Sequence, residues 1–246
     1  MPLKKSKGNM YPWVTHTHAH LGGECPHKCV YCYVDNPRFG RPERYTGPLR
    51  MIEDEFKVNY GEGKTIFIEH MNDLFAADMP REFINRIIGH CCEWPDNTFV
   101  FQTKNPRAYL KFVALFPRCR PCCIFGTTIE TNRIIPSISH APTTFDRMDA
   151  MVELRGEYPS FRRFVTIEPV LDFDVDILAG WIAAINPEFL NLGADSKDHN
   201  LPEPTVEKVM ALVAKLHEYG IELREKHNLN RLLVNSKEAQ NEHNRK

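Results

Sequence analysis

The sequence predicts an α/β fold built on a parallel sheet, and three observations predict it. Short runs rich in β-branched and aromatic residues alternate with helix-length amphipathic segments along most of the chain. The 246 residues, 42% of them hydrophobic, suffice for the core of one large α/β domain. Asp73, Lys104, Glu130, Glu168 and Asp195 all fall at or just past the C-terminal ends of the strand-like runs, the edge that carries the chemistry in barrels and open α/β sheets alike.

Taken in order, residues 1–10 carry Lys4, Lys5 and Lys7 without apolar periodicity and are expected to form a flexible tail. Alternation from Trp13 to Leu21 predicts a first strand ending at Gly22-Gly23, with His16, His18 and His20 on one face as interior lining or as partners of carboxylates. Residues 33–50, with three prolines, read as a loop. Its Arg38, Arg41, Arg44 and Arg50 are interleaved with Phe39 and Tyr45, which suits either phosphates and stacked bases or a solvated surface paired with carboxylates. Strands follow at Thr65–His70, Thr98–Lys104, Cys122–Glu130, Arg163–Glu168, Phe189–Gly193 and Ile221–Arg224. Helices fall between them, one opened by Pro80, one by Pro106, one over Thr144–Arg155, one from Val175 and one over Val206–Tyr219. The count is six β/α repeats plus a short final strand, in a domain spanning 11–235 with a polar, disordered tail at 236–246. Seven parallel strands can make a partial barrel or an open doubly wound sheet.

No apolar run approaches the ~18 residues of a membrane span. The net charge of −1 argues against a molecule that binds nucleic acid through its overall charge, though a local basic patch is compatible with it. Eight cysteines without a signal peptide point to a reducing, cytoplasmic setting in which they stay thiols or bind metal.

The chemistry concentrates in Cys25-Pro26-His27-Lys28-Cys29-Val30-Tyr31-Cys32, where three cysteines stand at the spacing C-x3-C-x2-C and no other follows until Cys91. Three thiolates on one loop can hold three corners of a cubane iron–sulfur cluster and leave its fourth iron open to a substrate. A mixed Cys/His zinc site using His27 or the upstream histidines is the alternative. Cys91, Cys92, Cys119, Cys122 and Cys123 fall at the opposite rim, where cysteines commonly act as small hydrophobes, and a second cluster there would lie far from the first.

The spacing, with Tyr31 just before the last cysteine, resembles the signature of the radical S-adenosylmethionine (SAM) superfamily. Five pieces resemble its spore photoproduct lyase-like (DNA repair photolyase-like) group and a related phage-associated family: the cysteine loop with Tyr33, Asn72-Asp73-Leu74-Phe75, Gln102-Thr103-Lys104-Asn105-Pro106, Gly126-Thr127-Thr128-Ile129-Glu130 and Thr166-Ile167-Glu168-Pro169. The resemblance selects the partial parallel (β/α)6 barrel with a short final strand. It implies a four-iron, four-sulfur (4Fe-4S) cluster on Cys25, Cys29 and Cys32 that cleaves SAM reductively to a 5′-deoxyadenosyl radical, and this radical abstracts hydrogen from a substrate. It further implies SAM contacts from Tyr31, Asp73, Lys104, Thr128, Glu130 and Glu168, with Glu130 and Glu168 also as catalytic candidates. An external one-electron donor such as flavodoxin or ferredoxin would be the partner. The substrate implied is a nucleic acid base or nucleotide, with a small metabolite, a peptide, or a non-catalytic iron–sulfur or zinc module as alternatives. The glycine-rich turn common after the second strand in this superfamily is replaced here by Glu69-His70-Met71-Asn72-Asp73.

Overall fold

The computed structural model describes residues 3–35, 43–115, 123–135, 137–197 and 199–233. Its strands are β1 (Lys4–Lys5), β2 (His16–His18), β3 (Leu21–Gly22), β4 (Arg50–Met51), β5 (Thr65–Ile68), β6 (Thr98–Thr103), β7 (Cys123–Thr128), β8 (Arg162–Ile167), β9 (Phe189–Leu192) and β10 (Glu222–Glu225). Its α-helices are α1 (Arg81–Cys92), α2 (Arg107–Phe112), α3 (Thr144–Glu157), α4 (Val175–Ile185) and α5 (Val206–Glu218). Eight strands form one sheet in the order β1-β2-β5-β6-β7-β8-β9-β10, parallel throughout except for β1, and β3 pairs with β4 in a small hairpin. β1 and β10 do not pair, so the barrel is open.

The helices start where backbone chemistry allows. Pro80 and Pro106 stand immediately before α1 and α2, where a missing N–H costs nothing. Thr143 caps α3, its hydroxyl accepting from the Asp146 amide while the Asp146 carboxylate accepts from the Thr143 amide. Thr205 caps α5 from one side only, its hydroxyl accepting from the Lys208 amide.

Strand alternation sorts the side chains into two layers. Phe99, Phe101, Phe125, Val165, Ile167, Leu190 and Leu192 join the core under the helices. Phe67, Val100, Ile124, Phe164 and Phe189 point inward and close the floor of the barrel around Tyr11 and Val14. Two residues further along β6, β8 and β9, the same alternation presents Gln102, Thr166 and Asn191 inward. The interior therefore passes from apolar at the floor to polar at the mouth.

Two expectations need correction. Residues 3–10 do not trail away: β1 pairs antiparallel with β2, Lys4 opposite Thr17 and Lys5 opposite His16. The following residues enter the barrel, where the Tyr11 hydroxyl meets Gln102 and Thr166 at 2.7 Å and the Asn9 amide donates to Glu168 at 3.0 Å. Lysines flanking an aromatic plug hid this role, because the segment has too few apolar residues to show a period. The first crossover, read as a loop over residues 33–50, has no α-helix among the described residues. Pro48 and Gly47 interrupt it, and short 3-10 turns at Glu43–Tyr45 and Glu53–Lys57 take its place. The expected first strand shrinks to His16–His18, because Leu21 and Gly22 leave the sheet for the hairpin. The polar tail at 236–246 lies outside the described residues.

Of the five cysteines at the opposite rim, Cys91 and Cys123 are buried thiols in the helix-side core. Cys92 is disulfide-bonded, against the expectation that all eight stay thiols or metal ligands. Cys119 and Cys122 lie outside the described residues. Among the described residues no helix is long and apolar enough to cross a membrane.

Gly126 shows how tightly the floor is packed: a Cβ there would lie 2.1 Å from the Phe164 ring. We expect Gly126→Ala to cost about 1–3 kcal/mol in urea unfolding, the range for overpacked cores. An unchanged midpoint would mean that the floor can move aside.

Candidate active site

A cavity of about 1090 Å³ opens at the C-terminal edge of the parallel strands and is bordered by Cys25, Cys29, Cys32, Tyr31, Asp73, Lys104, Thr128, Glu168 and Asp195. The chain thus brings together every metal and cofactor candidate except Glu130.

The cysteine loop is held from both sides. The Cys32 amide donates to the Cys29 carbonyl at 3.0 Å, and Lys28 takes a left-handed φ of 45° to turn the chain between the first two cysteines. The loop before α3 anchors it, with Val30 N–H to the Ile138 carbonyl at 3.0 Å and His140 N–H to the His27 carbonyl at 2.7 Å. His27 is buried and its Nε2 meets Asp73 at 2.8 Å. This pairing commits the histidine that a mixed zinc site would have used. Among the described residues, no three His, Cys, Asp or Glu side chains are grouped to hold a single metal ion. The three half-buried thiols stand on one loop facing one cavity, and this all-sulfur donor set is the one a cubane cluster takes. Burial, with Asp73 adding to it, pushes the Cys25 thiol up to about 12, and burial also raises Cys29. Burial therefore favours the protonated thiol at Cys25 and Cys29, and a coordinated metal is what would strip those protons.

Asp73 joins the loop to the strand ends. Beyond His27 it accepts from the Thr103 hydroxyl at 2.7 Å, the Lys104 amide at 2.8 Å and the Phe75 amide at 2.9 Å. Burial alone would raise its pKa, but His27 and these donors outweigh it and hold the carboxylate below its ordinary range.

Glu130 does not face the cavity. One of its oxygens accepts from Lys104 Nζ at 2.7 Å and from the Tyr31 hydroxyl, the other from Arg147 at 2.8 Å, and its side chain is 1% exposed. Burial opposes ionisation here, but Lys104 and Arg147 outweigh it and keep the carboxylate charged. Two cations and a phenol compete for it more strongly than open cavity does, so in this geometry Glu130 positions Lys104 and Tyr31 rather than touching a ligand. Two cations against one carboxylate leave a net positive charge, and Lys104 is the member that borders the cavity. Arg147 was missed in the sequence. Its signal was a lone charge on the apolar stripe of α3, one turn before Ala150 and Met151, both buried.

Thr128 accepts from the Gln102 amide at 2.9 Å, at the cavity wall. Glu168 borders the cavity with both oxygens engaged, one by Asn9 at 3.0 Å and Asn228 at 2.8 Å, the other by Lys226 at 2.6 Å. Gly193 permits this crowding, since a Cβ there would lie 2.8 Å from Asn228 Oδ1 and 3.0 Å from Glu168 Oε1. Lys226 and Asn228 follow the last strand, where nothing in the local sequence signals a site. Asp195 closes on its own loop through His199 Nδ1 at 2.7 Å and the Lys197 amide at 3.1 Å.

The arginine loop behaves differently from the phosphate-binding reading. Arg44 pairs with Glu55 and donates to the carbonyls of Ala19 and Leu21, and Arg50 donates to the carbonyls of Thr46, Pro48 and Arg44. Both guanidiniums tie down the hairpin through these carbonyls. Arg38, Phe39 and Arg41 lie outside the described residues.

Behind the cavity wall lies a buried cluster. Glu69, at a left-handed φ of 58°, accepts from the His20 amide at 2.5 Å and from His20 Nδ1 at 2.8 Å. His20 Nε2 meets His90 at 2.9 Å and the Tyr60 hydroxyl at 3.1 Å, and His18 stacks edge-on against His20. Burial raises Glu69 to about 7 and lowers His18 and His20 to about 3, so the His20–Glu69 contact is a hydrogen bond to a neutral imidazole and not an ion pair.

No protein-family model and no curated protein sequence matches the chain. Solved structures do. A cysteine-to-serine variant of spore photoproduct lyase superposes with a TM-score of 0.62 at 12% identity, over 89% of this chain and 79% of that one. The chain has the fold of spore photoproduct lyase. A further structure of that enzyme, with bound AdoMet and dinucleoside spore photoproduct, matches at a TM-score of 0.54 and 13% identity, over 88% of this chain and 66% of that one. Streptococcus suis SuiB bound to its precursor peptide SuiA gives 0.56 at 10% identity, over 85% of this chain and 48% of that one, so the chain spans about half of SuiB. These likenesses bear out the partial parallel barrel predicted from the sequence.

The buried cluster generates a pH dependence. Depressed histidines bind protons on unfolding below their ordinary pKa near 6.5, so their contribution to stability is lost as pH falls from there. The raised Glu69 works in the opposite direction: from its ordinary 4.5 up to about 7, the folded state holds the extra proton, which favours folding at the acid end. We expect the urea midpoint to fall between pH 6.5 and 5, and to fall more steeply in Glu69→Gln, which lacks the opposing group. A shallower slope in that variant would refute the assignment.

Proposed function

We propose that this protein is a radical SAM enzyme. The observation that carries the reading is the convergence of three thiols, at C-x3-C-x2-C spacing, with the net-positive Lys104 wall in one cavity of a spore photoproduct lyase-like barrel. Structures of this fold with bound AdoMet and SAM, among them one of SuiB, support the cofactor. When bound, a 4Fe-4S cluster supplies the electron that cleaves SAM to methionine and a 5′-deoxyadenosyl radical able to take a hydrogen atom from a substrate.

The chain's own residues do the rest. Cys25, Cys29 and Cys32 would hold the cluster. Lys104, fixed by Glu130 and by its place 5.1 Å over the Tyr31 ring, offers its ammonium to the methionine carboxylate as a point charge. Asp73 fixes the cysteine loop through His27, and Thr128 and Glu168 line the space left for ribose and substrate. The aromatic floor of Tyr11, Phe67 and Phe164 keeps water from the base of the cavity. An external one-electron donor such as flavodoxin or ferredoxin would supply the electron that reduces the cluster. The substrate we favour is a nucleotide or nucleic acid base, a class consistent with a neighbour that binds a dinucleoside lesion.

Anaerobic reconstitution tests this. Wild type is expected to take up one cluster and, once reduced, to release 5′-deoxyadenosine slowly without substrate. Cys25→Ala, Cys29→Ala and Cys32→Ala should each abolish iron uptake, while Cys123→Ala, in the helix-side core, should retain it. Lys104→Ala should keep the iron but weaken SAM binding at least tenfold, on the order of the 1.5–3 kcal/mol of a charged hydrogen bond. Zinc without iron under anaerobic expression, or a full cluster with no SAM binding, would refute the reading.

A further inference from the structure

We propose that the N-terminal segment carries a phosphate anchor, formed by Lys4 and Lys7, for the substrate of this cavity. The word substrate rests on the enzymatic reading above; the anchor itself does not.

Register decides which lysines face inward. Lys4 stands opposite Thr17, and Thr17 pairs with Phe67, whose ring lies on the barrel floor. Directly paired residues share a face, so Lys4 points to the interior side, and Thr17 and Phe67 both border the cavity. Leu3 packs on the helix-side core, as alternation requires of its neighbour. Lys5 also borders the cavity, but it pairs with His16 on the outer face and so serves as a matched control. Lys7 follows where the chain leaves β1, exposed at the cavity, two residues before the Asn9 contact with Glu168.

Charge bookkeeping then selects the ligand. The carboxylates bordering the cavity are all engaged: Asp73 by His27, Glu168 by Lys226, Asp195 by His199, and Glu69 by His20 and backbone amides. Neither Lys4 nor Lys7 has an ion pair or a side-chain hydrogen bond. Lys197 borders the same cavity. Two unmatched ammonium groups on one wall suit a multiply charged oxyanion better than a single carboxylate. The same cavity exposes Tyr33 (47% exposed), whose hydroxyl is tied to the His70 carbonyl at 2.6 Å, which fixes the ring as a stacking surface. Phosphate anchors beside a fixed aromatic face are the chemistry of nucleotide recognition. A volume near 1090 Å³ exceeds the ~300–1,000 Å³ of ordinary ligand pockets, which leaves room for a second ligand beside a cofactor.

The test uses the full chain with its cluster reconstituted, a short fluorescent single-stranded DNA, and a nucleoside monophosphate as competitor. Lys4→Glu/Lys7→Glu should weaken oligonucleotide binding at least tenfold at low salt and flatten the log–log salt dependence by about 1.4, or roughly 0.7 per lost phosphate contact. Lys5→Glu, with the same charge change per substituted residue, should stay within about twofold of wild type, and Lys4→Arg/Lys7→Arg should retain binding. Competition by the monophosphate at comparable concentration would identify a free nucleotide as the ligand; binding of the oligonucleotide alone would identify a strand, and either supports the anchor. Equal loss in Lys5→Glu, or no binding of either probe by wild type, overturns it. Cofactor cleavage without substrate, measured on the same samples, separates the two proposals. If wild type cleaves SAM but binds no phosphate probe, only the anchor fails. If it binds the probe through Lys4 and Lys7 but cannot cleave SAM, only the enzymatic reading fails.

Discussion

A carboxylate buried to 1% exposure is costly unless its charge is answered on all sides, and Glu130 is answered by Arg147 from α3, Lys104 from the end of β6 and Tyr31 from the cysteine loop. Four separate parts of the chain meet at that one group. Removing Glu130 would leave two cations facing each other with no anion between them. The loop has no regular structure of its own, so its position depends on this knot and on the second carboxylate, Asp73, which binds it through His27. The two acids are complementary: one sets the tyrosine side of the loop, the other its histidine side, and the three cysteines are hung between them.

Much of the fold was legible because a parallel sheet writes itself plainly. Runs such as Phe99-Val100-Phe101 and Phe164-Val165-Thr166 are buried on both faces and read as strands without any partner in view. Pro80 and Pro106 marked their helices to the residue. The placing of Cys25, Cys29 and Cys32 on one loop at the cavity was equally direct, because that loop is local in sequence. What could not be read was whatever depended on distant partners. Alternation carried past Thr128, the last residue of β7, would turn Glu130 inward, yet Arg147 from the neighbouring helix draws it out of the cavity. Whether Arg44 and Arg50 bind phosphates or protein groups stayed open in the sequence, because the carbonyls they reach belong to a hairpin that no periodicity announced.

The histidines illustrate the same limit in another way. His16, His18 and His20 do share a spacing, but only His18 and His20 sink beneath the surface, and the second acquires its carboxylate from the left-handed corner at Glu69. That corner stands where a glycine-rich turn was expected. A side chain placed there costs backbone strain, which the paired amides of His20 and Leu21 offset.

The segment that fills the barrel has a further consequence, for the order in which the molecule is completed. Asn9 reaches Glu168, Trp13 donates to Asn191 at 3.4 Å, and Lys226 sits 4.8 Å over the Tyr11 ring, so residues near one end of the chain rest on residues near the other. During synthesis the first part to emerge cannot settle until the last strands have been made, and contacts of such long range close late. The wall of the cavity around Tyr11 and Glu168 is thus held by contacts that span most of the chain, and it can close only after Lys226 has been made.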